Sequence, residues 1–94
     1  MSVVEQLTKD LKSLGSTPGE VASSLSALGI KGGVTCLDCP IAKYLIGKGY
    51  SSPYVKRTGT MLDDGTWVDN PPAVIDFISA YDEVPTRYPS LRYE

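Results

Sequence analysis

The first three helical patterns in this chain each open on a capping signal and close on a glycine. That punctuation confines the fold to short elements joined by tight corners. Ser2-Val-Val-Glu5 spells a capping box, with Ser2 as N-cap and Glu5 three residues on. Val4, Leu7, Leu11 and Leu14 follow at helical spacing and predict one apolar stripe, which Gly15 ends. Thr17-Pro-Gly-Glu20 repeats the signal, with Pro18 at the first helical position. Val21, Leu25 and Leu28 form the second stripe, stopped by Gly29. A third helix is predicted from Pro40 to Lys48, with Cys39 as N-cap, Ile41, Tyr44 and Leu45 inward, and Gly49 as its stop.

The pattern then changes period. Pro53-Tyr-Val-Lys-Arg57 is rich in β-formers, Gly59 interrupts it, and Thr60-Met-Leu62 resumes. Asp63-Asp-Gly65 is a turn signal, and Thr66-Trp-Val68 returns as a hairpin partner. Trp67 is expected opposite Leu62 or Thr60, as an anchor of the core or its margin. Asn70-Pro-Pro72 predicts a fourth helix capped by Asn70, with Val74, Phe77, Ile78 and Tyr81 buried. The fold class is α+β: three short N-terminal helices, a small antiparallel hairpin or meander, then a C-terminal helix and an irregular tail. Residues 1–83 are expected to form one domain. The tail, 84–94, carries Pro85 and Pro89, with Tyr88, Leu91 and Tyr93 as apolar anchors. It either straps the domain or contacts something else.

Composition narrows the function. The chain has no histidine, so the commonest general base and metal ligand are both missing. No serine has an imidazole to activate it, and no glycine-rich phosphate loop follows a strand. No cofactor is expected. No apolar run approaches the roughly 20 residues of a membrane span, and Met1-Ser-Val-Val-Glu5 lacks the features of a secretory leader. A cytoplasmic protein without a membrane partner is the expectation.

Charge is polarised along the chain. Lys43, Lys48, Lys56 and Arg57 fall between Cys39 and Leu62, a stretch with no acidic residue. Asp63, Asp64, Asp69, Asp76, Asp82 and Glu83 follow with no basic residue among them. The two segments are expected to neutralise each other within the fold.

Cys36-Leu-Asp-Cys39 at a helix start admits three readings. A dithiol redox site would resemble the thioredoxin arrangement, but two capped helices precede the motif where a βαβ unit should surround it, and only a short extended piece at Val34-Thr35 could supply the strand. Two thiolates supply half of a zinc site, which two copies of the chain could complete as a dimer. The structural reading makes Cys36 and Cys39 small buried residues at a loop–helix junction.

The basic and aromatic segment from Lys43 to Arg57, with the hairpin after it, resembles a winged helix-turn-helix. The gap from Leu28 to Pro40 is too long for that motif. The acidic pair Asp63-Asp64 at the wing tip would be repelled by phosphate.

Thr17-Pro-x-Glu-Val-Ala22, Leu28-Gly-Ile-Lys-Gly32, Cys39-Pro-Ile-Ala-x-Tyr-Leu45 and Val74-x-x-Phe77 to Tyr81-Asp82 together resemble a set of small uncharacterised proteins of actinobacteria and their phages. That resemblance implies no activity, cofactor or site residue. Cys36 stands outside its pattern, which would make the C-x-x-C spacing incidental.

By exclusion the chain is expected to be a non-enzymatic accessory protein that binds another macromolecule, foremost a protein. Tyr50, Tyr54, Lys56, Arg57 and Trp67 are its candidate partner-binding residues. Tyr88, Leu91 and Tyr93 of the tail are a second candidate contact. DNA binding and a Cys36/Cys39 thiol or zinc site remain the alternatives, and the sequence leaves the oligomeric state open.

Overall fold

The computed structural model describes residues 2–33, 38–84 and 88–92. Among them, four helices and a three-stranded antiparallel sheet follow in the order α1 (Val3–Lys12), α2 (Pro18–Ala27), α3 (Pro40–Gly47), β1 (Tyr54–Val55), β2 (Gly59–Met61), β3 (Trp67–Asp69) and α4 (Pro72–Glu83). The class is α+β, in the predicted order. Among the described residues no helix is long and apolar enough to cross a membrane.

The caps form as their residues dictate. The Glu5 N–H donates to Ser2 Oγ and the Glu20 N–H to Thr17 Oγ1, each at 3.1 Å. Each bond satisfies a donor that the helix backbone leaves unpaired. Glu20 also accepts from the N–H and hydroxyl of Ser16, which hold its carboxyl below the usual range.

Leu7, Leu11 and Leu14 of the first stripe, and Val21 and Leu25 of the second, are buried with Ile41, Leu45, Val74, Phe77 and Tyr81. Two stripe members depart from expectation. Val4 is exposed, and so is Leu28, at 61%. Both sit at helix ends, where the chain runs past the neighbour that covers the middle of the stripe. Helix α2 packs on α4, and α1 on β3.

Two tyrosines tie α1 to the segment around α3. The Tyr44 hydroxyl donates to the Asp10 carbonyl at 2.9 Å, and that of Tyr50 to the Asp10 carboxylate at 2.7 Å. Burial, reinforced by Asp10, pushes the Tyr50 phenol up from 10.0 to about 12. The neutral phenol is the form the fold favours. Its stabilising contribution is therefore complete below pH 10.0 and is lost as pH rises toward 12. Tyr50→Phe should flatten the fall of stability across that window, measured by denaturant unfolding at a series of alkaline pH values.

Asn70 does not cap α4. The N-cap is Pro71, and no side chain caps that helix. Prolines at 71 and 72 have no N–H, so fewer donors await a cap. Asn70 is instead buried beneath the β1–β2 turn. It accepts from the Thr60 hydroxyl at 2.9 Å and donates to the carbonyls of Lys56 (2.8 Å) and Arg57 (3.1 Å).

Of the two alternatives for the tail, the described residues 88–92 take the strap. Pro89–Leu91 forms a turn of 3-10 helix, and Leu91 is fully buried. The Gly32 N–H donates to the Leu91 carbonyl at 2.8 Å, and the Tyr81 hydroxyl donates to the Gly32 carbonyl at 2.7 Å. Tyr88 lies against the Phe77 ring, with centroids 5.1 Å apart. The Arg92 guanidinium stacks on the Tyr81 ring and donates to the carbonyls of Tyr81 and Val84. Residues 88–92 thus strap the body.

Candidate functional site

Strand register decides which side chains share a face. β1 pairs with β2 as Tyr54↔Met61 and Val55↔Thr60, and β2 with β3 as Thr60↔Val68 and Met61↔Trp67. Directly paired residues point the same way. Val55, Thr60 and Val68 therefore line the core side, and all three are buried. Tyr54, Met61 and Trp67 form a row across the other side. Met61 is 39% exposed and Trp67 44%, and Tyr54 is half-buried.

The register corrects the expected position of Trp67. It stands opposite Met61, between the two predicted partners. The cause is the loop. Leu62 and Thr66 close a hydrogen-bonded pair around three residues, and the Gly65 N–H bonds back to the Leu62 carbonyl. Gly65 takes φ +88°, the left-handed residue that follows a type I turn in three-residue hairpin loops. A slip of one residue moves a side chain to the opposite face. Trp67 thus turns away from the core.

The indole is held flat. Its Nε1–H donates to Asp69 Oδ1 at 3.1 Å. Its six-membered ring lies over Gly59, the cross-strand neighbour of Asp69. A Cβ at residue 59 would run into that ring. Gly59 is thus a strand residue whose bare backbone the indole covers, rather than the break its identity suggested. Gly59→Ala should lift the indole off the sheet, lose the bond to Asp69, and cost about 0.5–1.5 kcal/mol. Faster exchange of the indole N–H in NMR spectra would report it, and an unchanged rate would show that the ring is not seated there.

Lys56 extends the open face. Its ammonium sits 5.5 Å from the centre of the Tyr54 ring, at cation–π range. Lys56 and Arg57 are both exposed, and Asn70 holds their carbonyls. Four of the five residues expected to meet a partner thus lie on the sheet or its first turn. The fifth, Tyr50, is half-buried and bound to Asp10 of α1. Met61 was not singled out from the sequence, and the loop geometry that sets the register was the signal that would have found it. In the tail, Leu91 is buried and Tyr88 is half-buried against Phe77, so both serve the strap. Tyr93 lies outside the described residues.

Beyond the edge of β1 a cavity of about 200 Å³ opens between β1, the start of α3 and α4. Ile41, Val55, Phe77 and Ile78 form its apolar wall. Lys56 and Arg57 line it from one side and Asp82 from α4. Lys56 and Arg57 of the basic segment and Asp82 of the acidic one thus border the same cavity. Burial raises the Asp82 carboxyl above its usual range, and the Arg92 guanidinium opposes that shift.

Cys39 caps α3. Its Sγ accepts from the Ala42 N–H at 3.4 Å, and the residue is buried. Cys36 lies outside the described residues, as does the short extended piece expected at Val34-Thr35. Among the described residues no three histidine, cysteine or acidic side chains cluster as a metal site. Asp38 pairs with Lys43 at 3.1 Å, which occupies one cation of the segment considered for DNA. In α3 itself, Pro40, Ile41, Ala42, Tyr44 and Leu45 are all buried, leaving a narrow outer face for any groove. No protein-family model, curated protein or solved structure matches this chain.

Proposed function

We propose that this chain is a non-enzymatic accessory protein that binds another protein through the open face of its sheet. The row Tyr54–Met61–Trp67 carries the reading, because an exposed tryptophan held flat beside methionine and tyrosine is costly to leave in water. Tryptophan, tyrosine and arginine dominate binding energy at protein interfaces. A ring fixed in advance loses little freedom on docking. The bond to Asp69 and the bed at Gly59 fix this one. Lys56 and Arg57 add a basic margin that favours a partner with acidic groups around an apolar centre. The likeness to small actinobacterial and phage proteins is compatible with a cytoplasmic accessory role and adds no residue to it.

The test is quantitative affinity capture with the wild type and a Tyr54→Ala/Trp67→Ala variant. Removing two such anchors should weaken a genuine partner by about 2–4 kcal/mol, a loss of roughly 30-fold or more. Unfolding should confirm that the variant remains folded. If it retains every partner at wild-type strength, the sheet face is not the binding surface.

A further inference from the structure

We propose that the cavity beside β1 receives one aromatic or branched aliphatic side chain of the partner polypeptide, with an aspartate or glutamate next to it bound by Lys56 and Arg57. This rests on the protein-binding reading above and specifies the segment that the partner presents.

Size comes first. About 200 Å³ falls below the roughly 300 Å³ at which small-molecule and cofactor sites usually begin. It suits a single large side chain. The wall is preformed, because Ile41, Val55, Phe77 and Ile78 are core residues held from three elements. A socket that needs no ordering gives up little affinity on binding.

Charge then selects the flanking residue. Three charged side chains line the cavity, Lys56, Arg57 and Asp82. Asp82 already has a cation acting on it, Arg92, which is itself seated on Tyr81. Lys56 and Arg57 belong to a stretch of chain with no acidic residue, and both reach solvent. An incoming carboxylate would meet a guanidinium that can bind it with two parallel hydrogen bonds. An incoming cation would meet two like charges.

The experiment is selection of phage-displayed random dodecapeptides on the wild-type protein, followed by synthesis of the consensus peptide. The proposal expects an aromatic or aliphatic residue beside an aspartate or glutamate. Affinity should fall about tenfold or more when that acid is changed to its amide or when Arg57→Glu is introduced. Ile78→Trp, which fills the cavity, should abolish binding. Because that change strains the core, Arg57→Glu provides the surface variant whose melting should not change. Clones without an acidic residue, equal binding to Arg57→Glu, or no clone above background would each overturn the proposal. Clones lost on Trp67→Ala but kept by both Arg57→Glu and Ile78→Trp would overturn the cavity and leave the sheet face standing. Clones that depend on Arg57 and Ile78 and ignore Trp67 would support the cavity and count against the sheet face.

Discussion

Replacing Leu91 by alanine is expected to cost about 2–5 kcal/mol, the range for emptying a buried leucine site. That is a large share of the roughly 5–15 kcal/mol by which folded domains are usually stable. The side chain is fully buried, although it belongs to a short turn near the end of the chain. It packs against α2 on a segment anchored from two sides, by the Gly32 N–H and by Arg92 on Tyr81. A truncated side chain would leave a cavity that these anchors keep from collapsing. Denaturant unfolding should show a lower midpoint with little change in slope. A loss under about 0.5 kcal/mol, typical of surface positions, would mean that residues 88–92 only rest on the body.

The second large effect is expected at Asn70. Asn70→Ala removes the acceptor of the fully buried Thr60 hydroxyl and the donor to two turn carbonyls. A stranded buried hydroxyl costs about 1–3 kcal/mol and each of the two lost bonds to the turn carbonyls adds about 1, so the total should be about 3–5 kcal/mol. The origin can be separated by a cycle. Thr60→Val in the Asn70→Ala background removes the orphaned hydroxyl and should recover part of the loss. Strict additivity of the two changes would show that the pair is not coupled. The same variant should loosen Lys56 and Arg57, since Asn70 fixes the backbone that carries them. A drop in partner affinity should therefore accompany the drop in stability.

Local signals made most of the architecture legible. Helix starts depend on a cap and the next three residues, so Ser2, Thr17 and Cys39 were readable without tertiary information. The interiors of α3 and α4 followed from spacing alone. What escaped depended on distant partners. Asn70 sits where a cap belongs, and only the turn at Lys56–Arg57 reveals its other task. Leu28 and Val4 continue their stripes in sequence but outrun the neighbour that covers them. Leu91 was legible as an anchor, but whether the tail straps or docks was left open, because Gly32, which decides it, lies far away in the chain. For the candidate surface, residue types identified Tyr54, Lys56, Arg57 and Trp67. The face they share was not legible, because a single residue of loop length reverses it. The cavity was invisible for a different reason, since its wall comes from three separated segments.

Trp67 is the chain's single tryptophan, and it stands 44% exposed on the open sheet face. The protein consequently carries a built-in optical probe at that surface, with no second tryptophan to mask it when excitation is set beyond the absorption of its six tyrosines. A bound partner should shift its fluorescence toward the blue. Titrations of unlabelled protein can then follow docking directly, while backbone circular dichroism reports unfolding on a separate channel.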